Sequence, residues 1–378
     1  VIRLAIPSIE ENDIRAVQDV LASGYLVQGA RVAAFEEAVA AYTGCRYAVA
    51  VSNGTAALHL ALLAIDVRPG DLVLVTTYSW LSTANVIELC GAQPVFVDIQ
   101  PDTFNIDPAR LESVLQRLMS TSETARRVKA ILPVHTFGHM ADMPAILELA
   151  SRYELPVIED AACALGATLH GRQAGTWGVM GCFSFHPRKA ITTGEGGMIT
   201  TDNAVLARRL RALRNHGLDP EASAPDFIMP GFNYRMTELQ AALGLTQMAK
   251  LDRLITVRRQ LAAQYDTLLE MSLLQPPFVI SEDSSVYQSY VTLLPESLTE
   301  RRDDLIAWLR DAGIEVTIGT WHMPLTTYFR TRYGYEVGRF PITDHVFARS
   351  MTLPIHEQLS RQEQQDICQT ILGLMREL

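Results

Sequence analysis

Four short segments carry residue types that could do chemistry, and each follows an apolar run of strand length. Ser52-Asn53-Gly54-Thr55-Ala56-Ala57 is a small-residue turn opening into a helical pattern. Such a turn offers a phosphate free backbone N–H groups, a hydroxyl and a favourable helix dipole. An ordinary glycine-containing strand-to-helix turn reads the same way, and the Asn53-Gly54-Thr55 sequon has no meaning in a cytoplasmic chain. Thr77-Tyr78-Ser79-Trp80 places aromatic rings at a second strand end, where one could stack on a planar heterocycle; core packing is the plain alternative. Glu159-Asp160 ends a third run, and because successive strand side chains point to opposite faces, only one of the two carboxylates can address a ligand. A helix cap or an ion pair accounts for such a charge equally well. The fourth segment runs Cys182-Phe183-Ser184-Phe185-His186-Pro187-Arg188-Lys189 and leads to the glycine-rich turn at 192–197. A lysine partly withdrawn from water there is a candidate Schiff-base nucleophile, although most lysines are solvated surface charges.

His135 and His139 stand at i, i+4, which invites a zinc reading. The segment follows a strand, contains Gly138 and is not an HExxH helix, so no metal site is expected.

The elements that must position these residues are legible. Pro7-Ser8 followed by Glu11 reads as a capping box, with Ile14, Val17 and Leu21 at helical spacing and Gly24 as the stop. A second helix is expected over 30–42, ending at Gly44. Strand-like runs at 47–51, 72–76, 94–99, 130–134 and 156–160 then alternate with helical segments at 55–65, 81–89, 108–118 and 143–153. That alternation predicts an α/β fold with a mostly parallel sheet covered on both faces. A long helical stretch from about Met236 to Met271 follows, and Pro276-Pro277 marks the clearest boundary. We therefore expect a large domain over 1–275 and a smaller α+β domain over 276–378. The latter holds a strand at 286–294, a helix at 301–312, a loop-rich segment with Trp321 and Pro324, and a closing helix at 361–377.

Composition narrows the function classes. The 378 residues are 48% hydrophobic and 20% charged, an ordinary globular balance. No apolar window is long enough for a membrane span, and the first residues lack a basic segment followed by an apolar one, so no secretory signal is expected. With 32 basic against 42 acidic residues the net charge is −10, and no basic runs suggest nucleic-acid binding. Five cysteines, none in CxxC spacing, fit a reducing, cytoplasmic compartment.

Taken together, the four segments resemble the fold-type I pyridoxal-phosphate (PLP) enzymes, and among them the DegT/DnrJ/EryC1/StrS family of sugar aminotransferases. The resemblance runs nearly end to end. It covers the turn at 52–57, the stretch 78–85, His135-Thr136-Phe137-Gly138-His139 with Asp142, Glu159-Asp160-Ala161-Ala162, the block 184–197, Asn215-His216-Gly217, Asn233-Tyr234-Arg235-Met236-Thr237-Glu238-Leu239-Gln240 and Leu353-Pro354-Ile355. The Lys189 and Asn233 blocks are its most specific parts.

The resemblance implies that Lys189 joins the cofactor as an imine and then shuttles a proton, and that Asp160 pairs with the pyridine nitrogen and keeps the ring protonated. It implies Trp80 stacked on the ring, and Gly54, Thr55, Ala56 and Ser184 around the phosphate. An asparagine matching Asn233 reaches the neighbouring subunit's phosphate in this family, which implies a homodimer with shared sites. Three residues after the aspartate the family usually has Gln or His for the cofactor's phenolic oxygen, whereas this chain has Cys163, a weak donor. The implied reaction moves nitrogen from an amino acid, L-glutamate by resemblance, to a keto-sugar, most simply a nucleotide-linked one. Siblings acting on a cyclitol or sugar phosphate are the nearest alternatives. A dehydratase of the same fold would carry His at the lysine position, and a non-enzymatic regulator need not keep Asp160 and Lys189. Both substrates are anionic, so binding must rest on local positive potential, for which the helix start at Gly54-Thr55, Arg235 and His322 are candidates. The loops Tyr25 to Gly29 and Thr320 to Thr326 are expected to face substrate.

Overall fold

The computed structural model describes residues 1–270, 272–281 and 284–377. Two helices open the chain, α1 (Glu11–Ser23) and α2 (Ala30–Thr43), each stopped by a glycine in the left-handed region, Gly24 and Gly44. Ser8 does not cap α1 as expected. The chain stays extended through Glu10, whose N–H donates to the Asp13 carboxylate at 2.7 Å, while the Ser8 hydroxyl donates to Glu357 at 2.6 Å.

The strands of the large α/β part are β1 (Tyr47–Val51), β2 (Leu72–Thr76), β3 (Tyr78–Ser79), β4 (Gln93–Val97), β5 (Val128–Leu132), β6 (Ile158–Asp160), the small hairpin β7 (Thr168–Leu169) and β8 (Arg172–Gln173), β9 (Met180–Ser184) and β10 (Gly197–Thr201). They form a sheet in the order β1-β10-β9-β6 and another in the order β4-β2-β5. Parallel bridges Ile131↔Val157 and Val134↔Asp160 join the two. β10 is antiparallel to both β1 and β9, and the other paired strands of these two sheets run parallel. The expected strands at 94–99, 130–134 and 156–160 are displaced by one or two residues. Ile99, for example, leaves the sheet to bridge Ile106.

The covering helices are α3 (Gly54–Ala64), α4 (Ser82–Leu89), α5 (Pro108–Met119), α6 (Ser122–Ala125), α7 (Met143–Arg152) and α8 (Ala204–Arg214). β1 is an edge strand, and its outward backbone groups at Ala50 are satisfied by a buried ion pair. Glu36 accepts the Ala50 N–H at 2.9 Å, and Arg214 donates to the Ala50 carbonyl at 2.6 Å and to Glu36. This fixes the strand immediately before the Ser52–Ala57 turn.

The long helical stretch is two helices, α9 (Glu238–Met248) and α10 (Leu251–Leu269), and its expected end at Met271 lies outside the described residues. The break falls where Lys250 turns inward, its ammonium donating to Asp13 at 2.6 Å and to the Ser8 carbonyl at 2.7 Å. In the C-terminal part, β11 (Tyr290–Leu293), β12 (Thr317–Ile318) and β14 (Ser350–Leu353) form an antiparallel sheet in the order β11-β14-β12. It packs with α11 (Arg302–Asp311) and α14 (Arg361–Glu377) around a core that Leu261, Tyr265 and Leu269 of α10 also enter.

One segment crosses back. β13 (Trp321–His322) pairs antiparallel with β3, and α12 (Thr327–Tyr333) and α13 (Pro341–Arg349) follow it. Met323, Phe329 and Phe340 join the core that holds Val73 and Phe96, so residues 321–340 wall the large part although they lie beyond Pro277.

Candidate active site

The helix start after β1 is built to leave backbone donors open. Asn53 caps α3, its side-chain oxygen accepting the Ala56 N–H at 2.8 Å and its carbonyl accepting the Ala57 N–H at 3.1 Å. The N–H groups of Gly54 and Thr55 have no hydrogen-bond partner among the described residues. A Cβ on Gly54 would lie 2.8 Å from the Ser184 Cβ, so glycine is what lets the end of β9 close against this helix start.

The two carboxylates ending β6 face opposite ways, as strand alternation requires. Glu159, fully buried, accepts the N–H groups of Gly175 at 2.8 Å and Gly178 at 2.7 Å, and meets His135 Nε2 at 2.9 Å. Because His135 Nδ1 accepts the Ala141 N–H at 3.1 Å, its proton sits on Nε2 and is donated to Glu159. His139 is likewise held by protein, its Nδ1 3.4 Å from the Ser284 hydroxyl, and burial pushes its pKa down to about 4.

Asp160 turns to the other face. It accepts the Thr83 hydroxyl at 2.7 Å and the Ala162 N–H at 3.2 Å. Burial pushes its pKa above the ordinary carboxylate value, opposed by those two hydrogen bonds and by the charge of Lys189. A cation beside it would therefore find a desolvated carboxylate already oriented.

Lys189 is half-buried, and its ammonium donates to the Cys163 sulfur at 3.0 Å. The loop that carries it is tied at both ends, Phe185 N–H donating to the Gly196 carbonyl at 2.8 Å and Thr193 N–H to the Phe185 carbonyl at 3.0 Å. The chain has three lysines, and of these Lys189 lines the cavity described next, whereas Lys250 is bound to Asp13.

A cavity of about 1200 Å³ opens between these elements, and Gly54, Thr55, Ala56, Trp80, Asp160, Cys163, Ser184 and Lys189 all line it. Trp80, 63% exposed, presents its ring there. The donor set suits a flat heterocycle with an anionic tail: open amides for the tail, an indole for the flat face, a buried carboxylate for a ring cation and a primary amine for a carbonyl. These are the demands of PLP.

Other expected residues lie elsewhere in the single chain. Tyr25 is 81% exposed on the surface and Asn233 is exposed at a backbone bridge to Asn215, while Arg235 donates to the Asn215 side chain at 2.6 Å. His322 is buried against Asp344 at 3.0 Å and does not reach the cavity; its neighbour Trp321 does. The reason is register. Opposed residues of a strand pair share a face, so His322 follows buried Tyr78 and Trp321 follows Ser79. Sequence reasoning also passed over Thr83, whose helical position gave no sign that it sits on Asp160, and His59 and Tyr234, which line the cavity with Tyr234 Oη 3.4 Å from His59 Nδ1.

Comparison with known proteins decides the family. The model of the DegT/DnrJ/EryC1/StrS aminotransferase family matches residues 7–372. The chain belongs to this family. GDP-perosamine synthase of Caulobacter vibrioides is 41% identical over 317 residues, 83% of this chain and 83% of that protein. A UDP-4-amino-4-deoxy-L-arabinose–oxoglutarate aminotransferase of Shewanella sediminis is 36% identical over 370 residues, covering 94% of this chain and 93% of the relative. Among solved structures, the sugar aminotransferase Spr1654 of Streptococcus pneumoniae in its PMP form, described as putative, superposes with a TM-score of 0.93 at 28% identity, covering 100% of both chains. The same protein is also known in a PLP form. The DegT/DnrJ/EryC1/StrS protein described here is thus a PLP-dependent sugar aminotransferase of fold-type I, acting in amino-sugar biosynthesis. Among the described residues no helix is long and apolar enough to cross a membrane.

Borohydride reduction of the PLP-loaded enzyme followed by peptide mapping is expected to place the pyridoxyl adduct on Lys189. An adduct on Lys129 or Lys250 would contradict the site.

Proposed function

We propose that the enzyme transfers an amino group from L-glutamate to a nucleotide-linked keto-sugar, with PLP carried on Lys189. The observation that carries the reading is the convergence of the Lys189 amine, the Asp160 carboxylate and the open amides of Gly54 and Thr55 on one cavity. Two relatives named for GDP- and UDP-linked sugars, one of them also for oxoglutarate, the keto form of glutamate, support the choice of substrates.

When bound, the cofactor supplies a cationic pyridine ring that takes up the electron pair released at the donor carbon. The residues do the rest. The open amides of Gly54 and Thr55 at the helix start, with Ser184, would bind the phosphate and set the ring's depth, whereas the N–H of Ala56, expected to join them, is taken by the Asn53 cap. Trp80 covers one face and excludes water from it. Asp160, held by Thr83 and Ala162, would accept a hydrogen bond from the ring nitrogen and keep its proton in place. As a free amine, Lys189 Nζ would take the proton from the donor Cα and deliver one to the C4′ carbon of the cofactor. Cys163 holds that amine while it is free.

The site is completed by a second copy of the chain. Asn233 and Arg235 lie outside their own cavity, and the helix that follows is capped by Thr237, so capping does not account for Asn233. In a homodimer Asn233 serves the neighbour's phosphate, and Arg235 and Tyr25 face the neighbour's substrate. Domains over 1–275 and 276–378 share α10, whose second half packs into the C-terminal core. The five free cysteines suit a reducing, cytoplasmic setting.

Half-reactions test the chemistry. Adding L-glutamate alone to the PLP-loaded enzyme should shift the cofactor's absorption and release one 2-oxoglutarate per site, and a GDP- or UDP-linked keto-sugar should restore the original spectrum. No response to glutamate would overturn the donor; restoration by a free cyclitol or sugar phosphate alone would overturn the acceptor. Complementation tests the shared site. Inactive Lys189→Ala and Asn233→Asp chains, unfolded and reassembled together, should regain activity in heterodimers carrying one intact composite site, and verified heterodimers without activity would refute sharing.

A further inference from the structure

We infer that Trp321 is the residue on which the sugar ring of the acceptor packs, making it a specificity determinant for the second half-reaction. The inference rests on the keto-sugar reading above and adds a residue to it. β3 and β13 place Ser79 opposite Trp321 and Tyr78 opposite His322. Tyr78 and His322 take the buried face, the Tyr78 hydroxyl 2.7 Å from Ser350 and His322 3.0 Å from Asp344. Ser79 and Trp321 take the cavity face.

The indole stands on a fixed backbone. On one side the Thr320 N–H donates to the Tyr78 hydroxyl at 3.1 Å, and on the other the Met323 N–H donates to the Thr77 carbonyl at 2.9 Å. Its strand partner is two hydrogen bonds from the carboxylate at the heart of the site: Ser79 Oγ is 3.1 Å from Thr83 Oγ1, which donates to Asp160 at 2.7 Å. Trp321 nevertheless remains 41% exposed, a large apolar ring held rigidly in a wet cavity, where a ligand that covers it gains the burial.

The two substrates differ in what they offer such a ring. Glutamate is small, carries two carboxylates and has no flat apolar face. A pyranose has one, formed by its C–H groups, and it carries the reacting carbonyl, so it must enter the cavity that Trp321 shares with Lys189. The nucleobase stands at the far end of the substrate, beyond the diphosphate. Trp80 is assigned to the cofactor, which leaves Trp321 for the sugar.

The test uses PLP-loaded wild type, Trp321→Ala and Trp321→Phe with GDP- and UDP-linked keto-sugars, with free GDP and UDP as inhibitors. Trp321→Ala should raise KM for the keto-sugar by about tenfold, and Trp321→Phe should recover most of that loss. Cofactor retention, the glutamate half-reaction and inhibition by free GDP or UDP should be unchanged. An unchanged sugar KM would overturn the inference, as would equal loss in both half-reactions or loss of cofactor in Trp321→Phe. Weakened inhibition by free nucleotide would place the indole under the base and overturn the sugar assignment. A wild-type enzyme that responds to glutamate but turns over no nucleotide-linked keto-sugar would instead overturn the reading on which the inference rests.

Discussion

Two adjacent carboxylates end the buried strand β6, and the site depends on how each is held in a place where water cannot solvate it. Desolvating an ion costs several kcal/mol unless hydrogen bonds and countercharge replace the lost water. Strand alternation sends Glu159 to one side, where two backbone N–H groups and His135 surround it and so fix the loop at 175–178 and the segment after β5. Asp160 goes to the other side with a hydroxyl and a single N–H, fewer partners than a carboxylate can accept, and Lys189 adds a favourable charge. One carboxylate is saturated and structural. The other keeps capacity for a cation, and it is the one that faces the cavity.

The remaining parts of the site are placed by the same economy of backbone groups. The Glu36–Arg214 pair satisfies the outer edge of β1 and so sets where α3 begins, while Asn53 caps α3 and leaves the Gly54 and Thr55 amides open. Gly54 permits β9 to approach within van der Waals reach, which brings Ser184 and, through the tied loop 185–197, Lys189 to the same cavity. From the far side the β3–β13 pair closes the wall with residues remote in sequence.

Much of this was legible in the sequence, because it follows from local patterns: β1 and β2 fall at the expected residues, and the strand-to-helix turn and the glycine stops of α1 and α2 are written in residue types. What was not legible depends on contacts between distant segments. Glu10 replaces Ser8 as the cap because Ser8 is drawn to Glu357, and the helical stretch breaks at Lys250 because Asp13 binds its ammonium. His322 turns away from the cavity and only its neighbour Trp321 faces it, because the pairing with β3 alone fixes which of the two points inward. Thr83 was invisible for the same reason, its role existing only through Asp160.

The central claim is that Asp160, and not its neighbour, governs the cofactor's electronics. It is tested most directly by single-turnover absorption measurements of Asp160→Asn, loaded with PLP and mixed with L-glutamate. The account predicts a variant that retains cofactor but reacts slower by on the order of 10² or more. A rate near that of the wild type would contradict it, since Glu159, the neighbouring carboxylate, is fully engaged on the opposite face of the strand.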